Sequence, residues 1–311
     1  MEQITMLAEQ LRQKLPKLEL RQNEPLCNHT SFQIGGPVSL LALPKSEEEA
    51  AVTLRTANAL GVEPFFLGKG SNLLASDAPI QQFLMKSVGG LQTLDIMDSE
   101  EETSIYVESG ITLQKAAEYA QRYGLTGLEF AHGIPGSLGG GVMMNAGAYG
   151  GEMSSVVEWV DCLTFEGRRE RVPRKSLDFG YRHSCFSDGK RLILGACLKL
   201  EAGDRAEIQQ KMDELLAQRQ SKQPLEYPSA GSIFKRPPGY FAGTLIDQCG
   251  LKGFRIGGAQ VSTKHAGFIV NVGGATCEDV RRLIAHIQET VLREAGVTLE
   301  PEVRTLGFHF S

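Results

Sequence analysis

Two hydrophobic periods alternate along this chain, and each marks a different kind of element. Near the start, Leu7 and Leu11 recur at helical spacing inside an otherwise polar segment, which predicts an amphipathic helix. Residues 38–43 are apolar except for Ser39, the pattern of a buried strand. Ser46 and Glu49 then stand at capping-box spacing, and Gly61 is the expected stop of the helix they open. The same reading places strands at 64–67 and 104–108, and a helix from Thr112 through Tyr123 closed by Gly124. Strands follow at 156–164, 171–173 and 192–200, then a polar helix at 206–218 that leads to a domain boundary at Lys222-Gln-Pro224. Beyond it come a loop at 229–232, a short helix near 244–249, a strand at 266–272 and a long helix capped near Thr276. Val280, Leu283, Ile284, Ile287 and Val291 share one face of that last helix. Strands and helices mix without regular strand–helix–strand alternation, so the predicted class is α+β.

The stretch 133–150, Gly-Ile-Pro-Gly-Ser-Leu-Gly-Gly-Gly-Val-Met-Met-Asn-Ala-Gly-Ala-Tyr-Gly, fits neither period. Glycine gives up backbone entropy in a helix or strand without adding packing, so a loop is expected here rather than a regular element. Apolar Leu128, Phe130, Val142 and Met143 indicate that the loop is buried. Such a loop lets backbone approach a ligand where a Cβ would collide, and its free amides can hold an anion or a carbonyl. A tightly packed turn with no ligand is the other explanation. Glycine accounts for 35 of the 311 residues, well above the roughly 7% of typical proteins, and the excess sits in discrete loops.

A net charge of −5 gives no broad basic field for nucleic acid or a membrane surface. No apolar run reaches the length of a bilayer span, and the charged N-terminus lacks the apolar core of a signal peptide. The expectation is a cytoplasmic protein with no nucleic-acid partner, no membrane insertion and no obligate protein partner, which leaves small anionic substrates open. Six scattered cysteines and six dispersed histidines form no chelating pair, so free thiols and no metal site are expected.

A second glycine-rich loop, Gly68-Lys69-Gly70-Ser71-Asn72-Leu73, follows the apolar 64–67 run and could hold a pyrophosphate through amides and polar side chains. Leu73 stands where a dinucleotide fingerprint has its third glycine, the ending is not that of a P-loop, and a plain turn explains the pattern equally well. Together with other segments the loop forms an ordered series. Asn-His-Thr-Ser-Phe-Gln-Ile-Gly-Gly at 28–36 is followed by 68–72, 133–140, 145–150 and Tyr181-Arg182. Ala-Gly-Ser-Ile-Phe-Lys at 230–235 and Pro-Glu-Val-Arg at 301–304 complete it. From about residue 28 to 308 this series closely resembles the UDP-N-acetylenolpyruvoylglucosamine reductase family. The interval 182–222 is mostly strand and helix, which matches the shorter family form lacking an inserted tyrosine lid.

The resemblance implies a two-subdomain FAD-binding module of the vanillyl-alcohol-oxidase type at 1–63 and 64–204. It also implies a substrate-binding domain at 205–298 and a C-terminal segment, 299–311, returning to the active site. FAD is the implied cofactor, NADPH the co-substrate and UDP-N-acetylglucosamine enolpyruvate the substrate. By position, Gly68, Lys69, Gly70, Ser71, Asn72 and Leu73 would lie on the FAD pyrophosphate. Gly133, Ile134, Pro135, Gly136, Ser137, Gly139, Gly140, Asn145, Ala146, Gly147 and Tyr149 would lie against the flavin. In the family NADPH reduces FAD, the reduced flavin passes a hydride to the enolpyruvyl double bond, and an acid protonates the adjacent carbon. Ser232 matches that acid, Arg182 the partner of the substrate carboxylate and Glu302 an orienting or polarising residue. Tyr181, Lys222, Arg236 and Lys252 are the substrate-binding candidates, the two lysines for the diphosphate. Arg236 stands where some members have Asn, and Tyr240 is a candidate substitute for the missing lid.

These residue types suit that chemistry. A serine hydroxyl is a weak acid, but an enolate-like carbanion is a strong base, so transfer is feasible when the charge left on oxygen is stabilised. A guanidinium donates two parallel hydrogen bonds to a carboxylate. Taken singly, Ser232 reads as a turn residue, Arg182 as a surface cation beside an aromatic, Glu302 as a solvated strand position and the lysines as solubilising. A flavin-dependent oxidase would keep the 68 and 133 loops without needing Arg182, Ser232 and Glu302 together. A non-catalytic flavin binder would turn nothing over.

Overall fold

In the computed structural model, which describes residues 2–98 and 103–310, the local signals of the sequence set the main helices. Ser46 accepts the Glu49 amide at the start of helix Glu47–Ala59, and Thr112 does the same for Lys115 in helix Leu113–Arg122. Thr276 and Asp279 close a reciprocal capping box on helix Cys277–Ala295, which ends at Gly296 with φ of 66°. Each cap pairs a donor that the helix itself leaves unpaired, contributing about 1 kcal/mol. The chain then divides into two units interleaved along the sequence: 2–22, Leu40–Lys69 and Gln82–Gln218 in the first, and Asn23–Ser39, Gly70–Gln81 and 219–310 in the second.

The first unit holds a five-stranded antiparallel sheet. Its order is Arg169–Pro173, Val157–Leu163, Leu192–Lys199, Thr103–Glu108, Leu94–Asp98. Helix Leu113–Arg122 turns Leu113, Ala116, Ala117 and Ala120 inward, into the core they share with Val107, Val160 and Ala196 of the sheet. Ile208 and Met212 of helix Arg205–Lys222 join the same core. A second core collects Leu7 and Leu11 of helix Glu2–Lys14, Leu54 of helix Glu47–Ala59, and Leu40, Phe83 and Met85 from strands Pro37–Leu43 and Ile80–Lys86. Strand Pro64–Leu67 pairs in parallel with Ile80–Lys86, so the loop after Leu67 leaves the end of a sheet.

The second unit is built on an antiparallel sheet ordered Ser229–Ser232, Phe268–Asn271, Ala259–Val261, Arg255–Ile256. Helices Ala242–Gln248 and Cys277–Ala295 contribute to its core. Val280, Leu283, Ile284, Ile287 and Val291 are all buried, as their spacing predicts, each contributing roughly 1.5–3 kcal/mol. Strand Arg304–Leu306 pairs in parallel with Leu73–Ala75. The Asp77 carboxylate accepts the Cys277 amide at 2.8 Å, a negative charge at the positive end of the long helix.

Among the described residues, strands Glu19–Pro25, Leu73–Ala75, Ile80–Lys86, Leu94–Asp98, Arg255–Ile256 and Ala259–Val261 escape the sequence reading. So do the two-residue strands Leu125–Thr126, Gly147–Ala148, Gly151–Glu152 and Glu201–Ala202. Ser229–Ser232 is a strand, paired with Phe268–Asn271, where the sequence reading has a loop. No helix among the described residues is long and apolar enough to cross a membrane.

Candidate active site

In the first unit, Leu138–Met143 is a helix where glycine content argued for a loop. Packing outweighs the entropic cost. A Cβ on Gly139 would lie 2.9 Å from Ser109 Cβ, and one on Gly141 3.1 Å from Leu113 Cδ1, so side chains there would push the helix off its neighbours. Gly140 differs, since its Cβ position meets only Ser137 Oγ at 3.6 Å. The expectation of free amides is also corrected for this helix. Leu138 N–H donates to Ile111 O (2.8 Å), Gly139 N–H to Ser109 O (3.1 Å) and Gly141 N–H to Ser137 O (2.8 Å), while Gly140 N–H reaches the capping Ser137 Oγ at 3.4 Å. A ligand at 138–141 would therefore meet the bare face of Gly140 rather than an array of donors. Gly68 backs onto the same cap, its Cβ position 2.6 Å from Ser137 Oγ. Upstream, Ile134 N–H is taken by Ala131 O and Gly136 N–H by Ile134 O, while Pro135 is exposed.

Beyond that helix the backbone is strained. Asn145 and Tyr149 have φ of 42° and 52°, a left-handed conformation that asparagine adopts readily but that costs a tyrosine about 1 kcal/mol or more. Tyr149 and Gly150 form the tip of a two-residue hairpin closed by Gly147–Ala148 and Gly151–Glu152. Buried Asn145 is fixed by its side chain: Oδ1 accepts the Ser154 amide (2.9 Å) and Nδ2 donates to Gly180 O (3.1 Å). The second bond fastens a tight turn in which Gly180 and His183 exchange backbone bonds at 3.1 and 3.2 Å. Tyr181 and Arg182 occupy the turn's tip, the guanidinium carbon 5.3 Å from the tyrosine ring centroid. Arg182 itself has φ of 54°. Ser184 Oγ donates to Met143 O (2.9 Å) as a second fastening. A long side chain held in the left-handed region by surrounding bonds is a feature concentrated at functional sites.

The second unit assembles the other candidates. Gly70 has φ of 67°, and a Cβ there would lie 2.2 Å from His29 O. Ser31 N–H donates to Gly70 O (3.1 Å), and Arg304 N–H donates to Asn72 O (3.1 Å). Both bonds use the loop's carbonyls rather than its amides. A glycine-lined turn with the Ser71 and Asn72 side chains beside it fits a phosphate group. Strand Ser229–Ser232 pairs with Phe268–Asn271 through Ser232↔Phe268. The next residue, Ile233, donates its N–H to Gly267 O (3.0 Å) and accepts the Glu302 N–H on its own carbonyl (2.7 Å). Ser232 and Glu302 thus lie on hydrogen-bonded segments, with the Ser232 side chain at the surface. The geometry also separates the two glutamates. Glu300 forms an exposed ion pair with Lys235 (3.1 Å), whereas Glu302 is half-buried. Burial pushes the nearby Arg304 guanidinium below its ordinary pKa.

The substrate-binding candidates of this unit are more dispersed. Lys222 is exposed at the end of its helix, and Lys252 Nζ donates to the Asp247 carboxylate at 2.7 Å. Arg236 stacks over Phe241, 4.1 Å from the ring centroid, next to exposed Tyr240. The motif at 28–36 received no role from the sequence, yet it supplies the collar around Gly70.

A family model described as UDP-N-acetylenolpyruvoylglucosamine reductase, C-terminal domain, matches residues 223–306, and one described as FAD binding domain matches 38–172. The UDP-N-acetylenolpyruvoylglucosamine reductase of Pediococcus pentosaceus is 46% identical over 302 residues, 97% of this chain and 99% of that one. Its counterpart in Caldanaerobacter subterraneus subsp. tengcongensis is 45% identical over 301 residues, 97% and 98% of the two chains. Among solved structures, UDP-N-acetylenolpyruvylglucosamine reductase from Thermus caldophilus aligns with a TM-score of 0.79 at 35% identity, covering 93% of this chain and 99% of that chain. The predicted α+β class, with an FAD-binding module and a distinct C-terminal domain, is borne out.

Proposed function

The chain belongs to the UDP-N-acetylenolpyruvoylglucosamine reductase family, and from that membership we propose that it reduces UDP-N-acetylglucosamine enolpyruvate to UDP-N-acetylmuramate for peptidoglycan synthesis. It is an FAD-dependent oxidoreductase of that kind, and NADPH is the proposed reductant. Bound FAD supplies hydride transfer.

The chain's own residues do the rest. Gly70, Ser71 and Asn72 would hold the pyrophosphate in the glycine-lined turn, and the Gly140 face would lie against the cofactor. Ser232 is the proposed acid: its hydroxyl would give its proton to the carbon next to the reduced one. Arg182, on its strained turn, would bind the substrate carboxylate and stabilise the charge that builds there. Glu302 would orient or polarise the site. Lys222, Arg236 and Lys252 are the proposed diphosphate contacts. The Lys252–Asp247 pair is exposed and weak enough, about 0–1 kcal/mol, to be exchanged for a phosphate.

One observation supports this reading most: the Ser232 strand and the Glu302 segment are bonded to each other and to the Gly70–Asn72 turn. The test is anaerobic stopped-flow absorbance at the flavin band, with reduction by NADPH followed by mixing with the enolpyruvyl substrate. Rapid reoxidation is expected, slowed about 10³-fold in Ser232→Ala with reduction unchanged. Reoxidation that proceeds at the wild-type rate in Ser232→Ala would remove the serine from the mechanism. Reduction without reoxidation by this substrate would remove the substrate.

A further inference from the structure

Ser31 lies in the 28–36 motif, and it touches two segments at once. Its N–H donates to Gly70 O at 3.1 Å, while its Oγ lies 2.6 Å from Ser229 O and 3.5 Å from Gly70 O. A hydroxyl has one proton to donate, and the shorter contact takes it. Ser31 therefore holds the turn with its backbone and the serine strand with its side chain. Asn72, two residues past Gly70, makes a matching pair of bonds. Its Nδ2 donates to Glu302 O (3.3 Å) and its O accepts the Arg304 N–H (3.1 Å).

The consequence is a closed circuit of hydrogen bonds. Gly70–Asn72 is tied at one end through Ser31 to the strand that carries Ser232, and at the other end to the segment that carries Glu302. Those two segments are joined directly by the bond from Glu302 N–H to Ile233 O. The collar is stiff. Thr30 Oγ1 accepts the Ile34 amide (3.3 Å), Asn271 Nδ2 donates to Phe32 O (3.2 Å), and the buried His29 ring lies 2.7 Å from the Glu24 carboxylate. Displacing Gly70 toward the collar is blocked by the His29 carbonyl.

We infer that Ser31 is a positioning residue that couples the pyrophosphate turn to the proton donor: cofactor held at Gly70–Asn72 orders strand Ser229–Ser232 through the Ser31 hydroxyl, and Ser232 is correctly placed only in the loaded protein. The inference rests on the proposed roles of that turn and of Ser232. It assigns Ser31 no contact with substrate. Its loss acts by misplacing Ser232, and misplacement by an ångström can cost on the order of 10²-fold in rate.

The test uses full-length protein stripped of flavin and then titrated with FAD, with amide hydrogen exchange followed in peptides covering 70–75 and 229–235. In the wild type, FAD is expected to protect both. In Ser31→Ala, FAD is expected to bind and protect 70–75, while protection of 229–235 is lost. Reoxidation of the dithionite-reduced flavin by the enolpyruvyl substrate should then slow about 10- to 100-fold, and Ser31→Thr, which keeps the hydroxyl, should restore both readouts. The inference is overturned if FAD protects 70–75 in the wild type and leaves 229–235 unchanged, a result that needs no variant to fold. Wild-type behaviour of Ser31→Ala in both readouts overturns it too. FAD binding that leaves 70–75 unprotected would instead bring down the assignment of the turn itself, and the coupling with it.

Discussion

At Gly139 and Gly141 the missing Cβ makes room for protein side chains, those of Ser109 and Leu113. At Gly70 it makes room for the His29 carbonyl and permits φ of 67°. The amides differ as well. In Leu138–Met143 they end on protein acceptors, whereas the Gly70–Asn72 turn is held through its carbonyls, which receive the Ser31 and Arg304 N–H groups. Glycine content alone therefore does not locate a ligand. What separates the two regions is which end of the peptide dipole the fold has already used. Gly140 stands apart within its helix, because it faces neither a close side chain nor a backbone wall.

Substitution by alanine sharpens this contrast. Gly70→Ala forces a side chain into the left-handed region and against a carbonyl, so it should cost about 3 kcal/mol or more in urea unfolding and release FAD. A stable, flavin-loaded Gly70→Ala protein would show that the turn can move aside and is no cradle. Asn145→Ala removes two part-buried hydrogen bonds, those to Gly180 O and Ser154 N, and should cost about 2 kcal/mol. It should also slow flavin reoxidation, because the Arg182 turn loses a fastening. Unchanged kinetics in that variant would mean that Ser184 and the turn's own bonds suffice. Gly139→Ala gains helix propensity but meets Ser109 Cβ at 2.9 Å, for a net loss of about 1–2 kcal/mol.

The same contrast explains what the sequence disclosed. Ser46, Thr112 and Thr276 announce their helices because a cap acts within a single turn of chain. The buried face of Cys277–Ala295 is legible for the same reason. Strand Glu19–Pro25 carries no apolar alternation and sits at the edge of its sheet, so only its pairing defines it. Leu73–Ala75 is three residues long and takes its partner from the far end of the chain. Helix Leu138–Met143 contradicts local propensity because its glycines fit against Ser109 and Leu113, contacts invisible to any local rule. At the site, the order of the motifs in sequence pointed to the family. The duty of Ser31 did not, since Gly70 and Ser229 approach it only after folding.

Gly140→Ala carries the smallest effect on stability and discriminates best. Its added methyl meets only Ser137 Oγ at 3.6 Å, and alanine in place of glycine in a helix is favourable by up to about 1 kcal/mol. The flavin-free protein should therefore unfold at the same urea concentration as wild type or slightly higher. If the bare face of Gly140 lies against the cofactor, the same methyl must weaken FAD binding, and a loss of about 10-fold would correspond to 1.4 kcal/mol. Stability and affinity would then move in opposite directions, which no packing role for this glycine can produce. Unchanged FAD affinity would place Gly140 with Gly139 and Gly141 as a packing residue, and the cofactor-facing role would pass to the turn at Gly70 and to residues after Met143.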